Sequence, residues 1–463
     1  MTSRRQFLRT AGAGAGLLAL GACSGAPSTA GPAGRAFALD AAPMQVDLAG
    51  RAARTWGYNG QLPGPEIRLR EGETLRVDLQ NRLTDPTTVH WHGISLVNAM
   101  DGVPFVTQPP VEPGAGFAYE FRVPEPGSFM YHAHVGHQLD QGLYGPLIVE
   151  PRREELSYDR EYILMLDDWR DGVDTRPDVS ADEHAGHGSG EEEVDPRERV
   201  SFGGRYYPLM LVNGKPPDDP TVLEIRRGER VRLRVMNIGA DTGFRFAVGG
   251  HRLTVTHADG MAVQPVTVDA LRLGMGERYD VLVDAVNPGA WPVATVAQGK
   301  RGSGRAVLRY LDTPNSATPP ASARPAELDG RLLGYDDLVS TVRPEVPATG
   351  IPDRRVGLTL SGTDIVAVGL ADEDPLPVSE GEWVRCTIRN ISANWHPMHL
   401  HGHHFQVVLP GSGGPVKDTV AVPSRGGEVT IDWRADNPGR WLFHCHNHYH
   451  MEDGMLRLVE YRT

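Results

Sequence analysis

The sequence predicts an all-β protein made of three β-sandwich domains of similar design. Two observations carry this. Glycine (54 residues) and proline (37) are plentiful while aromatics make up only 7%, a balance that suits many short strands joined by turns better than long helices. One segment also recurs three times. GETLRVDLQN, GERVRLRVMN and GEWVRCTIRN begin at Gly72, Gly228 and Gly381, 156 and 153 residues apart. Each opens on Gly-Glu, alternates apolar with polar residues and closes on Asn.

The alternation places Leu75, Val77 and Leu79 on one face of the first copy, Val231, Leu233 and Val235 on that of the second, and Val384, Cys386 and Ile388 on that of the third. This is the pattern of a strand with one buried side. Cys386 accordingly reads as core filler. A spacing near 150 residues sets out domains at 36–152, 153–315 and 316–463, with turns at PRREEL (151–156) and a Pro/Ala/Ser-rich linker, DTPNSATPPASARP (312–325). The tract DEHAGHGSGEEEVDP (182–196) is acidic and aperiodic, the composition of a solvated loop; weak cation binding through His184 and His187 is the alternative.

Residues 1–35 read as an export address and tether. SRRQFLRT carries a twin arginine, the Ala/Gly/Leu run AGAGAGLLALGA follows, and LGAC resembles a lipoprotein processing site at Cys23. An ordinary signal cleaved just beyond Cys23 is the alternative. Both place the mature chain in the cell envelope or periplasm; the lipoprotein reading adds a lipid anchor at Cys23 as its membrane contact. A net charge of −13 excludes nucleic acid and anionic lipid surfaces as partners and draws small cations instead. Two internal cysteines, Cys386 and Cys445, make no disulfide scaffold.

Chemistry concentrates in four His-x-His pairs: His90/His92, His132/His134, His399/His401 and His444/His446. In a strand, residues two apart share a face, so each pair offers two imidazoles side by side. One pair can be chance; four call for metal. Two lie in the first domain, two in the third and none between, which points to a metal cluster where the outer domains meet. In HCHNHYHMEDGM (444–455), Cys445 points away from its flanking histidines and serves a second site. His396, His450 and Met455 are its available partners. Two imidazoles, a thiolate and a thioether make a blue-copper set, whereas structural zinc wants four strong ligands, usually with more than one thiolate.

HWHG, HAH, HPMHLHGH and HCHNHYHMEDGM, in this order, resemble the four copper motifs of three-domain multicopper oxidases, the family of laccases, ascorbate oxidase and bacterial cuprous oxidases. The start of the chain, HWHGISLVNAMDG and HCHNHYH are similar to exported actinobacterial oxidases linked to copper resistance. The resemblance implies cupredoxin-like Greek-key domains and four copper ions. It implies a type 1 ion on His396, Cys445 and His450 with Met455 axial, a type 2 ion on His90 and His399, and a type 3 pair on His92, His132, His134, His401, His444 and His446. It further implies four one-electron oxidations, of Cu(I) or of phenols, coupled to reduction of dioxygen to water, with a role in copper tolerance. An axial Met in place of Leu or Phe implies a potential below that of high-potential laccases.

Asp101 matches the family's acidic residue beside the type 2 copper; a turn-forming Asp before Gly102 is the other reading. Where many cuprous oxidases carry Glu after the last type 1 histidine, Met451 stands here, followed by Glu452 and Asp453. These three residues form a candidate Cu(I)-capturing edge. His137, His403, His404 and His448 read as neighbours that orient ligands. A copper-buffering protein is the rival from another class, and a two-domain nitrite reductase is disfavoured by the three repeats.

Overall fold

The computed structural model describes residues 34–170, 200–342, 346, 350–371, 374–410 and 412–462. The export segment with Cys23 and the tract 182–196 lie outside them. Among the described residues the strands form six sheets, two for each repeat, and no helix is long and apolar enough to cross a membrane.

The three repeated segments are the strands Thr74–Asn81, Arg230–Asn237 and Trp383–Asn390. Each pairs parallel with the strand that opens its sandwich and antiparallel with a later one. The alternating apolar residues enter three separate cores, and Cys386 is buried in the third among Leu358, Ile431 and Trp433. Burial pushes its thiol up, so it stays protonated.

The closing asparagines explain why the repeat ends as it does. Asn81, Asn237 and Asn390 are each fully buried. In each, Oδ1 accepts the backbone N–H two residues on, from Leu83, Gly239 and Ser392 at 2.9, 2.9 and 3.0 Å. Nδ2 donates to a nearby loop carbonyl (Asp85, Thr242, Asn394) and to a distant one (Val111, Leu273, Val422). One side chain thus closes a turn and ties two strands, which an apolar residue here could not do without leaving buried backbone groups unpaired.

The chain leaves the middle sandwich later than its composition suggests. Leu333 and Leu338 lie in the middle core, and Ala270 pairs with Leu332 and Val263 with Ser340. The 312–325 tract is therefore followed by a strap that still belongs to the middle unit, and the third sandwich starts with the strand Arg354–Ser361.

Candidate metal centre

Two strands in each outer sandwich carry the histidine pairs. In the first, Val89–His92 runs antiparallel to Gly127–Ala133 with His90 opposite His132. In the third, His396–Leu400 runs antiparallel to Arg440–Cys445 with His399 opposite His444. Alternation sends Trp91 into the first core and Leu400 into the third, so the histidines are left on the faces that meet. Across that seam His90 stacks on His401 and His92 on His399, ring centroids 3.8 Å apart in both cases.

All eight imidazoles are buried. His134, His401 and His444 each bring a nitrogen within 4.8 Å of the others, as do His90, His399 and His401, and His90, His92 and His132. The His446 ring lies 4.9 Å from that of His92 and 5.4 Å from that of His132. Burial and mutual repulsion hold His132, His134, His401, His444 and His446 well below the ordinary imidazole range, so they are neutral and offer lone pairs.

The donor set fits copper. Nε2 of His90, His132, His134 and His399, Nδ1 of His92 and both nitrogens of His446 are buried without a hydrogen-bond partner, a cost that buried polar atoms rarely bear unless something binds them. The opposite nitrogens are held: Nδ1 of His90 faces the Asp101 carbonyl at 2.9 Å, His132 that of Ala133 at 3.0 Å, His399 that of Asp418 at 2.9 Å and His444 that of Cys445 at 2.9 Å. His92 is turned the other way. Its Nε2 faces Asp418 Oδ1 at 3.1 Å and Thr419 Oγ1 at 3.2 Å, leaving Nδ1 toward the cluster.

Asp101 is wholly buried, with one carboxylate oxygen 3.0 Å from His401 Nδ1 and the other 3.2 Å from His90 Nδ1. Its backbone ends a short turn at Asn98–Met100 before Gly102 at φ +78°, while its side chain is aimed at the histidines.

Cys445 faces away from this cluster. Its Sγ lies 3.6 Å from His396 Nδ1 and 3.7 Å from His450 Nδ1. Burial drives the thiol pKa up and pushes His396 down to about 3; a thiolate here needs a cation against it, which a copper ion supplies. Ser392 Oγ sits 2.6 Å from His396 Nε2, fixing the ring. Asn447 Oδ1 accepts the N–H groups of Tyr449 and His450 at 3.1 and 3.2 Å, capping the helix His448–Glu452 that presents His450. Met455 is fully buried in the same core, and its carbonyl accepts the Cys445 N–H at 3.0 Å.

One expectation is overturned. Met451 does not form an accessible capture edge with Glu452 and Asp453: it is 4% exposed and packs on Val103 and Leu442. The helical turn rotates it inward while Asp453 stays exposed. His403 Nδ1 faces the carbonyl of the candidate ligand His401 at 2.9 Å and Nε2 the Tyr461 hydroxyl at 2.7 Å, which ties down the backbone there. His448 reaches the Gly136 carbonyl and His137 stacks on Tyr449.

Sequence reasoning missed Asp418. It is fully buried, with Arg278 Nη1 and Nη2 each 2.7 Å from its two oxygens. Burial alone would raise its pKa, but Arg278 and His92 hold the carboxyl well below the usual range. In the sequence, KDTVAV reads as an ordinary strand start, and the pairing partner lies 140 residues away.

Comparison with known proteins agrees with this geometry. Residues 40–154, 160–313 and 358–463 each match a family model described as multicopper oxidase. The chain is 38% identical to multicopper oxidase MmcO of Mycobacterium tuberculosis, over 99% of this chain and 97% of that one. It is 28% identical to copper resistance protein A of Pseudomonas syringae pv. tomato, over 99% of each. A solved multi-copper oxidase from Pseudomonas thermotolerans superposes with a TM-score of 0.72 at 30% identity, covering 93% of this chain and 100% of that one.

Proposed function

The chain belongs to the multicopper oxidase family as a laccase-like enzyme with four copper ions, and on that premise we propose that it oxidises Cu(I), with phenols as slower reductants, in copper tolerance. His396, Cys445 and His450, together with Met455, are the residues that would hold the type 1 ion. His90 and His399 would hold type 2, and His92, His132, His134, His401, His444 and His446 the type 3 pair. When bound, the ions would supply one-electron redox chemistry, by which four electrons from the reductant and four protons from solvent convert one dioxygen to two waters.

The observation that supports this reading is the sharing of one strand end by two sites. Cys445 is bonded through its own backbone to His444 and His446, which face the other way, so a covalent path of a few bonds joins the two. A copper buffer has no use for such a link. Asp101, held against His401 and His90, is the carboxyl that would pass protons toward reduced oxygen. Burial of all eight imidazoles keeps bulk water off the site and preserves their lone pairs.

Cu(I) as the favoured reductant draws on the relative named for copper resistance and on the acidic charge of −13; the buried Met451 lends it no support. Export by the twin-arginine route with a lipid anchor at Cys23 accompanies this proposal. The test compares oxygen uptake with chelated Cu(I) and with dimethoxyphenol. Phenol turnover an order of magnitude more efficient without added copper would replace the cuprous-oxidase reading with a general laccase.

A further inference from the structure

The middle sandwich contributes none of the candidate ligands, yet it reaches the trinuclear histidines at two points. Arg278 opens the strand Arg278–Asp284 and is fully buried. Its two Nη atoms donate to the two oxygens of Asp418 at 2.7 Å each, its Nε donates to the Ser128 carbonyl at 3.0 Å and Nη1 also to the Gly276 carbonyl at 3.1 Å. One guanidinium therefore ties a middle-sandwich loop to the first sandwich at Ser128 and to the third at Asp418. The planar fork leaves the carboxylate a single orientation. In that orientation Asp418 Oδ1 lies 3.1 Å from His92 Nε2.

The second point is Gly276, at φ +85°. A Cβ on it would lie 2.8 Å from His446 Cδ2 and 3.0 Å from His92 Cε1. The middle-sandwich backbone is thus in direct contact with two histidine rings, one from each outer sandwich, with no space to spare.

We propose that the middle sandwich sets the geometry of the trinuclear site: Arg278, acting through Asp418, fixes the tautomer and aim of His92, and Gly276 provides the surface on which the His92 and His446 rings rest. Among the seven cluster nitrogens without a partner, His92 alone shows Nδ1 with its Nε2 engaged. A neutral imidazole carries one N–H, so accepting it at Nε2 is what frees Nδ1 for metal. Without Arg278 the carboxylate keeps the Thr419 hydroxyl at 2.8 Å but loses the fork that points it at the ring. Arg278 and Asp418 are positioning residues, since both carboxylate oxygens of Asp418 are engaged by the guanidinium.

This inference rests on the proposal that His92 and His446 bind the type 3 pair, and the experiment separates the two. Arg278→Gln, Arg278→Lys, Gly276→Ala and His92→Ala are loaded with copper and compared with the wild type by copper content, visible and near-ultraviolet absorption and thermal unfolding. Arg278→Gln and Gly276→Ala are expected to keep the blue band while the near-ultraviolet type 3 feature is lost, with trinuclear ions held about 10–100-fold more weakly. Arg278→Lys, which retains a cation without the fork, should fall between. If Arg278→Gln does not accumulate as folded protein, the lysine variant decides by the same reading. A wild-type type 3 feature and copper content in these variants, or loss of the blue band in step with it, overturns the inference. If His92→Ala also keeps the type 3 feature, the ligand assignment itself is what fails.

Discussion

The middle and third sandwiches share a frame and differ in what hangs on it. In the middle one, His251 Nδ1 faces the Gly249 carbonyl and Nε2 the Tyr310 hydroxyl, which accepts the Asn287 N–H, while Trp291 Nε1 donates to the Asn287 carbonyl. The third repeats every bond with His403, His401, Tyr461, Asn437 and Trp441. NPGAWPVATV and NPGRWLFHCH align on this corner, and the alignment sets Ala294, Thr295 and Val296 where His444, Cys445 and His446 stand. Gly249 takes the place of His401. The corner holds the strand in both cases, so its histidine is architecture; only the residues projecting from the strand differ between a metal site and ordinary packing.

The sharpest way to break this comparison is at Cys445. Cys445→Ser should abolish the visible band and drop turnover to background while the near-ultraviolet type 3 feature survives, because the cluster's imidazoles remain. The reverse change, Thr295→Cys, should bring no colour, since the middle sandwich offers it no imidazole pair. A copper-loaded Cys445→Ser protein that stays blue would undo the assignment.

Asp101→Asn, which keeps shape and removes the acid, should hold copper content while turnover falls by about 10²–10⁴-fold, the usual share of general acid–base catalysis. Stopped-flow should show re-oxidation slowed more than reduction. Slowed reduction would instead place Asp101 at electron entry.

The corner histidines test the frame directly. His251→Gln and His403→Gln each remove two buried hydrogen bonds and should cost about 1–3 kcal/mol in denaturant unfolding, both with colour intact. Loss of copper from His403→Gln alone would show that the third corner does more than its twin. His403 also carries a pH signature. Burial lowers its pKa from 6.5 to about 4, so the folded state keeps it neutral while the unfolded chain takes up a proton. Its contribution is fully present above about 6.5 and is lost as pH falls toward 4; the unfolding midpoint of His403→Gln should depend on pH less steeply over that window. Cys386→Ser should cost a comparable amount, about 1–3 kcal/mol from a hydroxyl placed in an apolar core, with no change in the spectrum.

What was legible in the sequence was what repeats locally. Alternation exposed the three strands, and His-x-His spacing exposed the shared faces. Even the split duty of HCH follows from a period of two. Nonlocal pairing was not legible: Asp418 and Arg278 look like surface charges until the fold brings them together, and Met451 beside two acids reads as exposed until a helical turn rotates it inward. The reach of residues 326–340 onto the middle core was hidden for the same reason, because Leu333 and Leu338 sit in a stretch without a period.

The stacking of His90 on His401 and of His92 on His399 divides the trinuclear bed evenly between the outer sandwiches, four rings from each. The full set of eight exists only where both halves are docked, so ions bound there as proposed would act as rivets. Each one bound adds its affinity to the hold between two sandwiches whose own sequences are far apart in the chain. A chelator should therefore loosen the seam itself, and with it the first and third sandwiches' resistance to protease, before any strand inside them unravels.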